Sequence, residues 1–276
     1  IFHMEAGNRC WDWNVSEMIN RKIVDHISDI NLPYTEHARR YLLSEGLDGK
    51  NIFVTCSPMR EVLQKNMNKI EESKILDKLN LEKNRYIIVS AHREENIDNE
   101  KNFTSLMDAI NNIAETYNMP IIFSTHPRTQ KYINKRKFKF NPLVRSLEPF
   151  GFIDYNKLQK NSYCVISDSG TLSEESNLLG FTGVLIRTST ERPEVLDGGS
   201  IVIGGNTSKT INQAIELAIS MKKAGDKTKI NREYEYLNVS SKVIKIIQSY
   251  TDIVNRTIWR KDMYIEEKNT DNVLRI

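Results

Sequence analysis

Cysteine is scarce in this 276-residue chain: Cys10, Cys56 and Cys164 are odd in number, far apart, and form no CxxC pair. That usage fits a reducing compartment and excludes a disulfide framework or thiolate zinc site. No two histidines stand at metal-ligand spacing, so no catalytic metal is expected. No apolar run approaches the roughly 18 residues a membrane span needs, and no leader peptide is visible. A cytoplasmic location without membrane insertion is therefore expected. Charge of one sign is not in excess. The 39 basic and 36 acidic side chains leave a net charge of +3, which excludes broad attraction to nucleic acid but leaves room for local basic pockets. GxSxG, Walker A and GxGxxG motifs are absent, so the serine hydrolase, P-loop and dinucleotide-binding readings lose their signatures.

Apolar content of 39% with 27% charged residues describes an ordinary globular chain of one large or two medium domains. Short β-rich runs alternate with helical patterns, which predicts βα units around a mostly parallel sheet. The predicted strands are 52–55, 86–90, 120–124, 163–167, 183–186 and 200–203. The chain opens without Met, inside what reads as a strand ending at Glu5. Ile19, Ile23 and Ile27 recur at i+4 on the first helix. Thr35 reads as an N-cap, with Leu42 and Leu43 on the inner face and Gly46 as the stop. Ser57-Pro58 starts another helix. Longer helices are expected at 103–117, 211–221 and 239–259, with a polar loop at 222–235 and a charged tail. The domains expected are 1–56, 57–238, and a helix and tail at 239–276 packing back toward the first. The basic NKRKFKF stretch at 134–140 reads as a solvated connection before a nucleic-acid patch.

Four predicted strands end in polar turns: Ala91-His92-Arg93-Glu94-Glu95-Asn96, Thr125-His126-Pro127-Arg128, Asp168-Ser169-Gly170-Thr171, and Arg187 through Glu194. In a parallel sheet these turns share one edge, where open α/β sheets bind ligands. At Ser169, Gly170 and Thr171, a helix N-terminus with hydroxyls can cradle phosphate; an ordinary N-cap explains the same residues. Glu175 would repel phosphate and better suits sugar hydroxyls. His92, just after a strand beside Arg93, can bear on an anion or leaving group; a surface histidine is the plain alternative. His126 has the same context, with Pro127 suggesting a turn. His3 and His26 read as packing residues and His37 as exposed. In the first segment, Glu5 and Glu17 are candidates for acid and base work, with Arg9 and Arg21 nearby. Capping by Glu17 and an i,i+4 pair with Arg21 are the simpler uses.

These motifs together resemble the non-hydrolysing UDP-N-acetylglucosamine 2-epimerases. The match is carried by His3-Met4-Glu5-Ala6-Gly7-x-Arg9, Glu17-x-x-Asn20-Arg21, Ala91-His92-Arg93-x-Glu95-Asn96, Asp168-Ser169-Gly170 with Glu174-Glu175, and Thr190-Glu191-Arg192-Pro193-Glu194. It runs from residue 1 to about Trp259. The stretches HMEAGNRC, INRKIVDHISDINLPYTEHARRYL, SPMREVL and GFIDYNKLQ look closest to a branch that makes UDP-N-acetyl-L-fucosamine from UDP-2-acetamido-2,6-dideoxy-L-talose for capsule or O-antigen synthesis. The resemblance implies an α/β fold of two Rossmann-like domains of GT-B type, the first incomplete. It also implies a homodimer, and a nucleotide sugar held in the interdomain cleft. The implied reaction is anti elimination of UDP to a 2-acetamidoglucal, then re-addition with inversion at C2, without a cofactor. Residue by residue, Glu5 and Glu17 match catalytic acids and His92 the catalytic histidine. Ser169, Gly170, Thr171, Glu175 and Arg192 match UDP and ribose contacts, and Tyr155 an aromatic position by the uracil. Arg9, Arg21, Arg93 and His126 fall among the substrate-binding positions.

Three departures stand out. The family's N-terminal segment, with its Gly-Thr-Arg-Pro-Glu loop and catalytic Asp, has no counterpart, so a truncated first half is expected. Cys56 occupies a usual glycine position; if the turn needs φ > 0, that costs about 1 kcal/mol. Met18 replaces the second Glu of a pair. Other readings are interconversion of UDP-GlcNAc and UDP-ManNAc, a non-catalytic nucleotide-sugar-binding remnant, and a GT-B glycosyltransferase.

Overall fold

The computed structural model describes residues 1–10, 12–13, 15–226 and 231–261. Trp11, Asn14, residues 227–230 of the polar stretch and the tail after residue 261 lie outside the described residues. The chain forms two compact units, one of residues 1–61 with 236–276, the other of residues 62–235.

In the first unit, β1 (Phe2–Met4), α1 (Ser16–Ile27), β2 (Ile30–Leu32) and α2 (Glu36–Ser44) follow in order, and α3 (Met59–Glu72) leads out of it. β1 and β2 pair in parallel, Phe2 opposite Ile30 and Met4 opposite Leu32. The expected strand at 52–55 is a single bridge, Asn31 to Ile52. The segment does run beside β2, with Phe53 N–H donating to the Asn31 carbonyl at 3.0 Å and Thr55 N–H to that of Pro33 at 2.9 Å. Pro33 has no N–H to return, so the ladder stops there.

Thr35 caps α2 as expected, its hydroxyl accepting from Ala38 N–H at 3.2 Å, and Gly46 follows the helix at φ +85°. Leu42 is buried; Leu43, expected beside it, is 44% exposed. The i+4 isoleucines of α1 are more than half exposed, and Met18 and Asp25 face inward instead. The periodicity was sound, but period alone does not say which stripe finds a partner. Cys56 does adopt positive φ, +74°, and Ser57 caps α3 through Met59 N–H at 3.1 Å.

The second unit contains α4 (Ile75–Lys78), β3 (Ile87–Ser90), α5 (Glu94–Ile97), α6 (Glu100–Tyr117), β4 (Ile121–Ser124), α7 (Pro127–Arg136), β5 (Val144–Leu147), α8 (Phe152–Asn161), β6 (Cys164–Ser167), α9 (Leu172–Leu179), β7 (Gly183–Leu185), α10 (Glu194–Asp197), β8 (Ile201–Ile203) and α11 (Ser208–Lys223). Its six strands form one sheet in the order β5-β4-β3-β6-β7-β8, and every pairing is parallel. Alternate strand residues feed opposite faces. Ile87 and Val89 join a core with Phe103, Ile110 and Ile215, whereas Tyr86 and Ile88 join one with Leu158, Val165 and Leu172. A sheet covered on both faces reads as continuous apolar runs, which is why β3, β4 and β6 were legible. β5 was missed because it is a half-buried edge strand carrying Arg145. The NKRKFKF stretch ends α7, and its Phe138 and Phe140 pack on the core while Arg136 lies over Phe103 and pairs with Glu100. The polar stretch expected as loop includes a 3-10 turn, Arg232–Tyr234, whose tyrosine is fully buried and donates to Glu194 at 2.7 Å.

The chain then returns to the first unit as α12 (Val239–Thr257). Val239, Val243 and Val254 close a core with Ile30, Leu32 and Cys56.

Candidate active site

The strand order of the second unit reverses direction between β3 and β6. From β3 the chain winds outward through β4 and β5; from β6 it winds the other way through β7 and β8. Ligands of open parallel sheets bind at such a switch point, beyond the carboxyl ends of the strands. Ser90 and Ser167 stand opposite each other there. Beyond them lie the His92 and Asp168 turns.

Asp168 organises this edge. It is wholly buried, and its Oδ2 accepts from the backbone N–H of His92 and of Arg93, both at 2.9 Å, and from Asn96 Nδ2 at 3.1 Å. Its Oδ1 lies 3.2 Å from His92 Nδ1, at ion-pair distance but off hydrogen-bond alignment. Asn96 also donates to the Ile186 carbonyl at the end of β7. One carboxylate thus ties the turns after β3 and β6 together, and Asn96 adds the turn after β7. The turn after β4 joins through Thr129, whose hydroxyl donates to the Ala91 carbonyl at 3.0 Å. His126 is an N-cap rather than a free turn residue: its Nδ1 accepts from Arg128 N–H, and Pro127 is the first residue of α7. Its ring centroid is 6.1 Å from that of His92. Arg128 reaches back to Glu94 and Asp98.

The Ser169 and Thr171 hydroxyls bond each other at 2.9 Å at the start of α9, whose N-cap, Thr171, makes no side-chain capping bond. Gly170 lies beside Arg192: a Cβ there would sit 3.8 Å from Nε. Arg192 is 7% exposed and lies 3.3 Å from Glu174. Burial raises the Glu175 pKa, against hydrogen bonds from Gln159 and Thr171 that lower it. Tyr155 lies beside Ser90 and Ser167, and burial with the nearby Glu175 pushes its phenol well up. Eight expected site residues (His92, Arg93, Tyr155, Ser169, Gly170, Thr171, Glu175 and Arg192) therefore stand at one sheet edge, with His126 beside His92.

The first unit places Glu5 directly after β1. Its backbone is left-handed, φ +61°, a conformation costing a non-glycine residue about 1–3 kcal/mol and concentrated at functional sites. Its N–H donates to the Leu32 carbonyl at 3.1 Å, and its Oε1 accepts from Asn8 Nδ2 at 3.0 Å. Arg21 reaches within 3.9 Å of the same oxygen. Glu17 lies exposed on α1. Arg9 differs from the others. Its fork grips Glu45 through Nε at 2.8 Å and Nη2 at 2.7 Å, and its Nη1 lies 2.7 Å from Asp25. Bidentate geometry of this kind is the strong form of the interaction. The Arg9 bond is the largest influence holding Glu45 down to a pKa of about 2. His26, expected in packing, is 45% exposed and bonds Glu45, and His37 is only half exposed. His3 pairs with Asp25 at 2.7 Å.

Sequence reasoning did not single out Asp25, and it left Asp168 inside a motif without a role. Both are fully buried carboxylates; the only local signal for Asp168 was its place at a strand end. Among the described residues no group of three or more His, Cys, Asp or Glu is arranged to hold a metal ion, and no helix is long and apolar enough to cross a membrane.

A family profile described as UDP-N-acetylglucosamine 2-epimerase matches residues 1–248. The chain is 33% identical over 232 residues to the UDP-N-acetylglucosamine 2-epimerase of Methanocaldococcus jannaschii, covering 81% of this chain and 63% of that protein. The structure of the enzyme of that name from Rickettsia bellii is 41% identical with a TM-score of 0.83, over 94% of this chain and 70% of that one. The Methanocaldococcus jannaschii structure in complex with UDP-GlcNAc and UDP is 30% identical with a TM-score of 0.81, over 90% and 68%. The chain spans about 60% of the length of the curated relatives it matches. The expected fold class, α/β of GT-B type with parallel, Rossmann-like sheets, is the one shared with these structures. This chain belongs to the UDP-N-acetylglucosamine 2-epimerase family.

Proposed function

We propose that the protein inverts C2 of a UDP-2-acetamido sugar by eliminating and re-adding UDP. The observation that carries this reading is the convergence of His92, Ser169, Gly170 and Arg192 on one sheet edge around buried Asp168. In the first half-reaction a base takes the C2 proton, the C1–O bond breaks, its electron pair leaves with UDP, and a C1–C2 double bond remains. Negative charge then grows on the diphosphate. The α9 N-terminus, Arg192 and a protonated His92 are suited to stabilise it. Glu5 and Glu17 are proposed to handle the C2 proton, and Arg21 to steady Glu5. Tyr155 and Glu175 serve the uridine, Arg93 and His126 the rim. Arg9 is proposed as an internal strut, because its guanidinium is committed to Asp25 and Glu45. Return of UDP to C1, with a proton delivered to the opposite face of C2, completes the inversion without net redox change.

UDP-GlcNAc is the first substrate to try, since the relatives carry its name. The finer reading, conversion of UDP-2-acetamido-2,6-dideoxy-L-talose to UDP-N-acetyl-L-fucosamine for surface polysaccharide, rests on the wording of stretches such as HMEAGNRC and GFIDYNKLQ. A homodimer is proposed on the resemblance alone and a cytoplasmic location on the cysteine usage; sedimentation velocity tests the first and cell fractionation the second. Incubation with each UDP sugar in deuterated water, followed by NMR, decides the activity. Inversion with deuterium at C2 of one sugar supports the reading and selects the substrate. UDP binding by calorimetry with no deuterium in either sugar overturns catalysis and leaves a nucleotide-sugar-binding chain.

A further inference from the structure

Glu5 holds a left-handed backbone conformation that glutamate does not choose by itself. What surrounds it in sequence is tied to a single group. Asp25 of α1 is wholly buried, and its carboxylate takes His3 Nδ1 at 2.7 Å, Gly7 N–H at 3.3 and 3.2 Å, and Arg9 Nη1 at 2.7 Å. Those partners come two residues before Glu5, two after it and four after it. Gly7 cannot be replaced in this arrangement: at φ +80° a Cβ would lie 2.4 Å from the Ala38 carbonyl oxygen. Asp25 is itself fixed, since Asn31 Nδ2 donates to its backbone carbonyl at 2.9 Å. Glu5 thus sits at the crown of a turn whose two limbs end on one carboxylate.

We infer that Asp25 is a positioning residue for Glu5: by binding both limbs of the turn it holds the Glu5 backbone left-handed and so aims the Glu5 carboxyl. The inference rests on the proposed role of Glu5 in handling the C2 proton. Asp25 touches no reacting atom in this scheme. It acts through the turn, and an orientation error of this kind lowers turnover without weakening ground-state binding.

The test is Asp25→Asn in the full chain, read in two ways. By NMR, the Glu5 Cα and Cβ shifts should leave the range of left-handed backbone while the amide spectrum of the second unit stays as in the wild type. By kinetics, kcat for C2 inversion should fall about thirtyfold with KM within about twofold. Wild-type kcat in Asp25→Asn, or a lower kcat with unmoved Glu5 shifts, overturns the inference. Should that variant not fold, His3→Phe, which removes one tie at a part-exposed position, takes its place: moved Glu5 shifts support the clamp and unmoved ones overturn it. If the wild-type chain itself inverts neither sugar, the epimerase reading fails, and the Glu5 shifts alone judge the clamp.

Discussion

Two buried aspartates do similar work in the two units with different partners. Asp168 gathers mainly neutral donors, the N–H groups of His92 and Arg93 and the amide of Asn96, with His92 Nδ1 nearby. Asp25 gathers one backbone N–H, a histidine and an arginine whose other arm holds Glu45. A carboxylate that collects successive backbone N–H groups fixes a turn; one that collects an arginine also draws in a second carboxylate. The difference shows which turn depends on charge balance and which mainly on hydrogen bonding.

The largest effect should come from the group proposed to face the substrate. His92→Asn should lower kcat about 10³-fold, a loss of leaving-group stabilisation worth about 4 kcal/mol, with UDP affinity by calorimetry within about twofold. Asp168→Asn comes next. It should cut kcat about 10²-fold and destabilise the second unit by about 2–3 kcal/mol in urea, because the N–H groups of His92 and Arg93 and the Asn96 amide exchange a charged acceptor for a neutral amide oxygen. If Asp168→Asn were as active as wild type, the two aspartates would not be comparable at all.

Glu45→Gln should destabilise only the first unit, by about 1–2 kcal/mol after allowance for partial exposure. The same group sets a pH signature. Its folded pKa, about 2, lies below its ordinary 4.5, so its stabilisation is complete above about pH 4.5 and fades as pH falls toward 2. Urea melts at pH 6 and pH 3 should differ for wild type and much less for Glu45→Gln. Smallest of all is Arg128→Ala. Its ion pairs with Glu94 and Asp98 lie at the surface, and the melting temperature should not change measurably.

Much of the second unit was legible because its strands are apolar on both faces and end abruptly in polar turns. Tyr86 through Ser90 followed by His92 shows the pattern plainly. The positive φ at Cys56 was legible too, from a turn where glycine is usual. Inward-facing charge was not. Asp25 on α1 reads as an ordinary solvated helix residue beside an isoleucine stripe, yet the isoleucines are exposed and the aspartate is buried. Its partners at positions 3, 7 and 9 become neighbours only when β1 folds back against α1. Arg9 was misjudged for the same reason: Glu45, its partner, is distant in sequence, and only tertiary contact shows the guanidinium is already occupied.

Elimination and re-addition of UDP make one demand that simple binding or sugar transfer to an acceptor does not: the C1–O bond must break and re-form on the same pair of molecules. UDP-GlcNAc labelled with ¹⁸O at the bridging C1 oxygen tests this directly by ³¹P NMR. The expected result is migration of the label into non-bridging positions of the β-phosphate in recovered UDP sugar, slowed about 10³-fold in His92→Asn. Label held in the bridge while C2 inverts would contradict UDP elimination as the route.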